Sequence, residues 1–189
     1  MDILTAFGLS ASAGLNAYIP LLTVALMARF TNWIQLGEPW TALESWWTIG
    51  ILVVLTAIEF FADKVPAVNH INDIIQTFVR PTAGAILFAA STSVVSEMNP
   101  VLAVILGLLV AGSVHAVKSA AVRPAVTATT GGAGNVPVSI AEDIVSTILA
   151  ILAAVMPVII SVILVLLAAL IVWWIWRRIN ASRARKISS

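Results

Sequence analysis

From Ile144 to Trp176 the chain runs for 33 residues without a charged side chain. In hydrocarbon every backbone N–H and C=O must find its partner within its own segment, so a run of this kind can only be helix. Four further runs share its character: Ile3 to Met27, Trp47 to Phe61 with Glu59 inside it, Ile74 to Val95 with Arg80-Pro81 inside it, and Pro100 to Val117. One crossing takes about 20 apolar residues. The sequence therefore predicts an all-α integral membrane protein, a single domain over residues 1–176. It is a bundle of about 5–6 transmembrane helices, several of them broken.

Composition excludes the other broad classes. The chain is 60% hydrophobic and 10% charged, against ~45–50% and ~25% in soluble domains. No small core hides that much apolar surface. Disorder is excluded for the same reason. A net charge of +1 excludes nucleic acid as a partner held by bulk charge. The absence of cysteine excludes disulfides, thiolate metal sites and cysteine nucleophiles. Two histidines are too few for a multi-histidine metal centre, and no cofactor is expected. The start carries Asp2 and no basic stretch, so a signal peptide is not expected.

The last run is too long for one straight crossing, at roughly 50 Å against a core of ~30 Å. Pro157 lies inside it, and Trp173, Trp174 and Trp176 mark an interface. Either 157–176 is one span after a shorter leg over 142–156, or the whole is one tilted, kinked helix. The tail 177–189 holds Arg177, Arg178, Arg183, Arg185 and Lys186, half of the 10 basic residues. The positive-inside rule makes this tail cytoplasmic. Six crossings put the N-terminus on the same side, five on the other. The Asn180-Ala181-Ser182 sequon lies on that tail and is expected to be silent. Residues 31–46, with three tryptophans, Glu38, Pro39 and Glu44, suit an interfacial loop or short surface helix.

Residues 65–77 echo residues 136–147. Each reads Val-Pro, a short gap, then an acid, Ile, Ile or Val, a polar residue and Thr. The echo suggests a duplicated helix–break–helix unit, and many secondary transporters are built from such repeats, with their sites at discontinuous helices. Interruptions are expected at Gly14–Pro20, Ala62–Pro66, Arg80-Pro81 and Gly131–Pro137.

An ionisable residue at membrane depth is costly and by default marks a site. Three clusters qualify. In the first, Ser10, Ser12, Gly14 and Asn16 lead to Pro20. They form either a close-packing seam or a helix unwound at Asn16–Pro20 that offers carbonyls to a ligand. In the second, Glu59 and Asp63 are four apart and share a helix face. Lys64, Pro66, Asn69, His70 and Asp73 follow. A snorkelling interfacial cluster explains Asp63 and Lys64 well, and Glu59 less well because it lies deeper. In the third, His115 and Lys118 share a face, and Arg123, the glycines 131–134, Asn135, Glu142 and Asp143 follow. Glu142 and Asp143 are expected at a helix start, where the dipole favours carboxylates. From Glu59 to Asp143 six acids face four bases, which predicts internal ion pairs. Arg80 most needs one, with Asp73, Glu59 and Asp143 as the options.

At these motifs the chain resembles an uncharacterised bacterial membrane-protein family, domain of unknown function 4126. The resemblance rests on SAGLNAYIPLL (12–22), EFFADKVP (59–66), HAVKSAAVRP (115–124) and AEDI (141–144). It implies a multi-spanning inner-membrane protein and assigns no activity or site residue.

The function expected is transport of an ion or small polar solute by a transporter or channel in the lipid bilayer. With 189 residues a monomer is small for a pathway, so a homo-oligomer is expected. The ligand or ion pathway is expected at Asn16, Glu59, Asp63, Lys64, Asp73, Arg80, His115, Lys118, Arg123, Asn135, Glu142 and Asp143. The competing readings are a membrane-embedded lipid-handling enzyme, using Glu59, Asp63, His115 and Glu142 in acid–base roles, and a structural or assembly factor. No nucleophile or metal motif favours the enzyme.

Overall fold

A computed structural model describes residues 3–64, 66–92 and 98–157, and beyond them 159, 162–163, 165–167, 169–170, 172–174 and 176–177. Of residues 66–71 it describes the backbone alone. The side chains of Asn69 and His70, the residues Val65 and Glu97, the sequon and the tail after Arg177 lie outside the described set.

Among the described residues the chain is helical, with no strand. The helices are α1 (Ile3–Leu15), α2 (Tyr18–Phe30), α3 (Trp46–Ala62), α4 (Pro66–Thr92), α5 (Pro100–Val117), α6 (Arg123–Thr130) and α7 (Asn135–Val155). A 3-10 turn at Trp40–Glu44 precedes α3, and a π-turn at Lys118–Val122 joins α5 to α6. Three stretches are long and apolar enough to cross a membrane: Asn72–Thr92, Pro100–Thr130 and Asn135–Val155.

Local chemistry sets the boundaries. The Ser45 hydroxyl accepts the Thr48 N–H at 3.1 Å and caps α3. Asn99 accepts the Val101 N–H at 2.8 Å, and Pro100 opens α5, where a missing N–H costs nothing. Gly131 and Gly132 take positive φ of 62° and 93° to turn the chain from α6 into α7.

Four helices form the core. α1 runs antiparallel to α4, since Phe7 meets Phe88 edge-on at 5.1 Å and the Ser10 hydroxyl donates to the Gly84 carbonyl at 2.9 Å. It also runs antiparallel to α7, where Ser12 and Ser146 hydroxyls pair at 2.9 Å. α1 is parallel to α5, with Ala6 beside Ala103 and Gly14 against Ala111 and Val114. The buried face of α5 is Ala103, Gly107, Ala111 and His115, each four apart. Small residues at this spacing let backbones approach closely. The contacts between these helices are thus rich in Ala, Gly and Ser, with Leu9, Leu87 and Phe88 also fully buried, while Trp47, Ile51, Phe61, Phe78, Val101 and Leu109 point outward.

The first apolar run is broken within the expected interruption Gly14–Pro20, between Leu15 and Tyr18. After α2 the chain returns to the start of α1, where Trp40 packs on the cluster of Ala6, Phe88 and Ala103. Arg29, at the end of α2, stacks 4.3 Å over Trp46 at the start of α3. So α1 and α2, 13 residues each, make a hairpin with its tip at Asn16-Ala17. Each arm is roughly 20 Å long, short of a ~30 Å core. Asn16 makes the turn. Its side-chain oxygen accepts the Tyr18 and Ile19 N–H groups at 3.1 and 3.0 Å, and so caps α2 in place of the continuing helix.

Two expectations are corrected. Arg80-Pro81 does not interrupt its helix: α4 runs unbroken through Pro81. Prolines of this kind are tolerated where neighbouring helices pack on them, and Pro81 lies beside Gly112 of α5. α7 begins at Asn135, so Glu142 and Asp143 are its eighth and ninth residues and do not cap its start. It ends at Val155, one residue before Met156 leaves the helix, and the described residues from 157 to 177 are again helical.

The echoed stretches share one local device. Thr77 donates to the Asp73 carbonyl at 2.9 Å, and Thr147 to the Asp143 carbonyl at 2.8 Å. Their tertiary partners differ, as described below.

The tight crossing of α4 and α5 gives a direct test. A side chain on Gly84 would overlap Ala111 and the Gly107 carbonyl, and one on Gly107 would overlap the Gly84 backbone. Gly50 has nothing within 4 Å. Gly84→Val and Gly107→Val are expected to cost about 1–3 kcal/mol each or more, read as a lowered Tm in detergent, while Gly50→Ala leaves Tm unchanged or raised.

Candidate functional site

In the first half of α4, Asn72, Gln76 and Arg80 recur four apart, so they form one polar stripe. All three are buried, and Arg80 is 0% exposed. Facing them, the end of α3 carries Glu59 at 1% exposure and Asp63 at 3%. Arg80 Nη2 donates to Glu59 Oε1 at 3.0 Å and lies 3.9 Å from Asp63 Oδ2. Its Nη1 contacts His115 Nδ1 at 3.3 Å, and His115 Nε2 contacts the Thr77 hydroxyl at 3.3 Å. A guanidinium only donates, so Nδ1 accepts and the imidazole proton sits on Nε2. The Thr77 hydroxyl then accepts from the ring and passes its own hydrogen to the Asp73 carbonyl. This chain of donors is consistent with a neutral His115.

A second tier centres on Glu142. Its Oε2 receives Lys118 Nζ at 2.9 Å and Arg123 Nη2 at 2.7 Å. Lys118 and Arg123 are five apart, which on an α-helix separates two side chains by about 140°. The π-turn Lys118–Val122 widens that turn to an i→i+5 repeat and brings both cations to one oxygen. Lys118 also donates to the Leu15 carbonyl at 3.1 Å, at the end of α1. Asp63 joins the two tiers: Oδ1 accepts from Asn72 at 2.6 Å, and Oδ2 accepts from Ser139 at 3.2 Å and lies 3.7 Å from Arg123.

The third tier lies at the hairpin tip. Asp143 Oδ1 accepts from Asn16 Nδ2 at 3.0 Å, and Oδ2 accepts from Lys64 Nζ at 3.2 Å. Lys64 also donates to the Phe60 carbonyl at 2.9 Å and sits 3.3 Å over the Phe60 ring. Glu59, Asp63, Glu142 and Asp143 thus face Lys64, Arg80, Lys118 and Arg123. Four acids match four bases, so the cluster as a whole is neutral.

Of the pathway residues expected from sequence, ten meet here: Asn16, Glu59, Asp63, Lys64, Arg80, His115, Lys118, Arg123, Glu142 and Asp143. Arg80 takes Glu59 among its three candidate partners. Asp73 is half-buried and makes no ion pair among the described residues. Asn135 is bonded to Thr127 at 3.0 Å on the exposed turn between α6 and α7. It lines a cleft of about 470 Å³ with Asp63, Lys64 and the glycine turn, so it stands at a mouth of the cluster.

Sequence reasoning missed Asn72, Gln76 and Ser139. Their signal was periodicity: Asn72, Gln76 and Arg80 on α4, and Ser139, Asp143 and Ser146 on α7, recur at intervals of three or four residues.

The sequence matches the family model described as Domain of unknown function (DUF4126) over residues 3–177. The chain belongs to that family. No curated protein and no solved structure matches it. Each motif that carries the resemblance to DUF4126 contributes to the cluster: the first Asn16, the second Glu59 to Lys64, the third His115 to Arg123, the fourth Glu142 and Asp143. Among the described residues of this DUF4126 chain, no group of three or more His, Asp or Glu side chains is placed to hold a metal ion.

Burial makes the inner pair a test of the whole arrangement. Removing one partner of a buried ion pair leaves a bare charge and costs about 3–5 kcal/mol. Glu59→Gln or Arg80→Gln is expected to destabilise the protein by that order in denaturant titrations. The double variant Glu59→Met/Arg80→Met is expected to lose much less than the sum.

Proposed function

We propose that this DUF4126 protein is an integral membrane transporter or channel for an ion or small polar solute. One observation carries the reading: eight charged side chains from four separate stretches of chain, five of them buried and three half-buried, converge near the tip of a broken-helix hairpin. Soluble folds have little reason to bury so many charges together, and membrane proteins place them on substrate paths. The surface supports the membrane setting, because large apolar side chains such as Trp47, Ile51, Phe78, Val101 and Leu109 are exposed on it. Arg80 is the fifteenth of the 27 residues of α4, so its backbone lies roughly 20 Å from either end of that helix. In a core of ~30 Å this inner end of the cluster is deep.

The cleft at the α6–α7 turn reaches Asp63 and Lys64, and Lys64 bonds Asp143 beside the tip of the α1–α2 hairpin. Such a path, with discontinuous helix ends at its floor, suits alternating access. Lys118 and Arg123 share one oxygen, and Asp63 lies between two arginines. Pairs that share partners can exchange them without baring a charge, which suits a gate. The protein is read as a multi-pass inner-membrane homo-oligomer, its basic tail in the cytoplasm by the positive-inside rule.

A second reading has one observation in its favour. An apolar groove of about 640 Å³ along α1, α5 and α7 ends on Lys118 and Glu142, which suits a lipid-handling protein.

Reconstituted proteoliposomes separate the two. Glu59→Gln, Lys118→Gln and Asp143→Asn are each expected to abolish solute flux in protein that still elutes as a folded species. Wild-type protein that moves no ion or metabolite from a broad panel overturns the transport reading. Lipid turnover in detergent, where no gradient exists, favours the second.

A further inference from the structure

The hydrogen-bond balance of the cluster is uneven. Arg123 is 7% exposed, yet its Nε and Nη1 have no acceptor among the described residues. A buried guanidinium donor without an acceptor is costly, because it has lost water and gained nothing. Its neighbours cannot supply the missing oxygens. Asp63 is held by Asn72 and Ser139, and lies at 3.7 Å from Arg123 Nη2. Glu142 offers Arg123 and Lys118 a single oxygen, Oε2. Two cations and at least two idle donors therefore crowd around one carboxylate oxygen.

Two openings border this spot. Glu142 and Lys118 line the apolar groove, and Asp63 lines the polar cleft. Arg123 lies behind both, bonded to Glu142 of the groove wall at 2.7 Å and 3.7 Å from Asp63 of the cleft wall. The π-turn that brings Lys118 and Arg123 together is a local distortion of the kind found at functional sites, and an α-helical path would separate them.

We propose that Arg123 and Lys118 form a binding site for an oxyanion, a phosphate or carboxylate group, and that Glu142 occupies this site internally in the conformation described. A planar guanidinium and an ammonium converging on one point match the oxygens of such a group. The site deepens the transport reading by naming a substrate class. The oxyanion arrives either free, through the cleft, or as the headgroup of an amphiphile whose chains lie in the groove.

The test measures binding, so it stands apart from flux. Full-length protein in detergent micelles is titrated with inorganic phosphate by calorimetry, against a chloride background. In a second arm, phosphatidate is added to the protein in phosphatidylcholine nanodiscs. Wild type is expected to bind in one arm, and the arm identifies the source. Glu142→Gln removes the internal competitor and is expected to tighten binding about tenfold, equivalent to 1.4 kcal/mol. Arg123→Gln is expected to lose binding. Arg123→Lys keeps the charge and protects the comparison against misfolding, and is expected to weaken binding. The proposal is overturned if wild type and Glu142→Gln bind in neither arm, or if Glu142→Gln does not tighten. Oxyanion binding without any flux would leave this site standing and sink the transport reading. Flux of another solute without oxyanion binding would do the reverse.

Discussion

Arg80 sets the terms for the rest of the structure. A fully buried guanidinium needs a carboxylate, and Glu59 supplies it from the end of α3. That demand places α3 across the middle of α4. His115 then lies against the same guanidinium and fixes α5. Asp63, one turn beyond Glu59, extends the charge to Arg123, and Arg123 extends it to Glu142 on α7. Each added charge is tolerable only because the next one neutralises it. The result is a connected set with no net charge, assembled from helices whose other contacts are largely apolar or made by serine hydroxyls.

The hairpin of α1 and α2 completes the set with backbone dipoles. The carbonyl end of α1 is the negative pole, and Lys118 donates to its last carbonyl, Leu15. The amide end of α2 is the positive pole. Asn16 accepts two of its N–H groups and passes its own amide hydrogen to Asp143. A cation therefore meets the negative end and an anion is relayed to the positive end. One asparagine serves as turn, cap and bridge, which explains why a polar residue interrupts so apolar a run.

Much of the site was legible in sequence because burial cost is a property of residue type. Glu59, Arg80 and Lys118 stand out in apolar surroundings whatever the fold. Asn72, Gln76 and Ser139 were passed over because neutral polar residues are inconspicuous one at a time, and only their shared helical face reveals them. Proline misled at Arg80-Pro81, where packing against Gly112 carries the helix through. Asn16 interrupted its helix more sharply than the neighbouring Pro20, which lies in the first turn of α2 and needs no N–H there.

By itself the sequence determined that this chain is helical and strongly apolar, and which few residues are too costly to leave unpaired. Those facts follow from hydrocarbon spacing and side-chain solvation, which are local. The tertiary structure alone decided that the first run folds back on itself. It also decided that Lys64 pairs with Asp143 and not with its neighbour Asp63, and that Lys118 and Arg123 share Glu142. These pairings join residues 19 to 79 positions apart. They depend on how helices cross, on a π-turn no propensity specifies, and on glycines that let α4 and α5 approach. Coulomb attraction names the candidates, and geometry chooses among them.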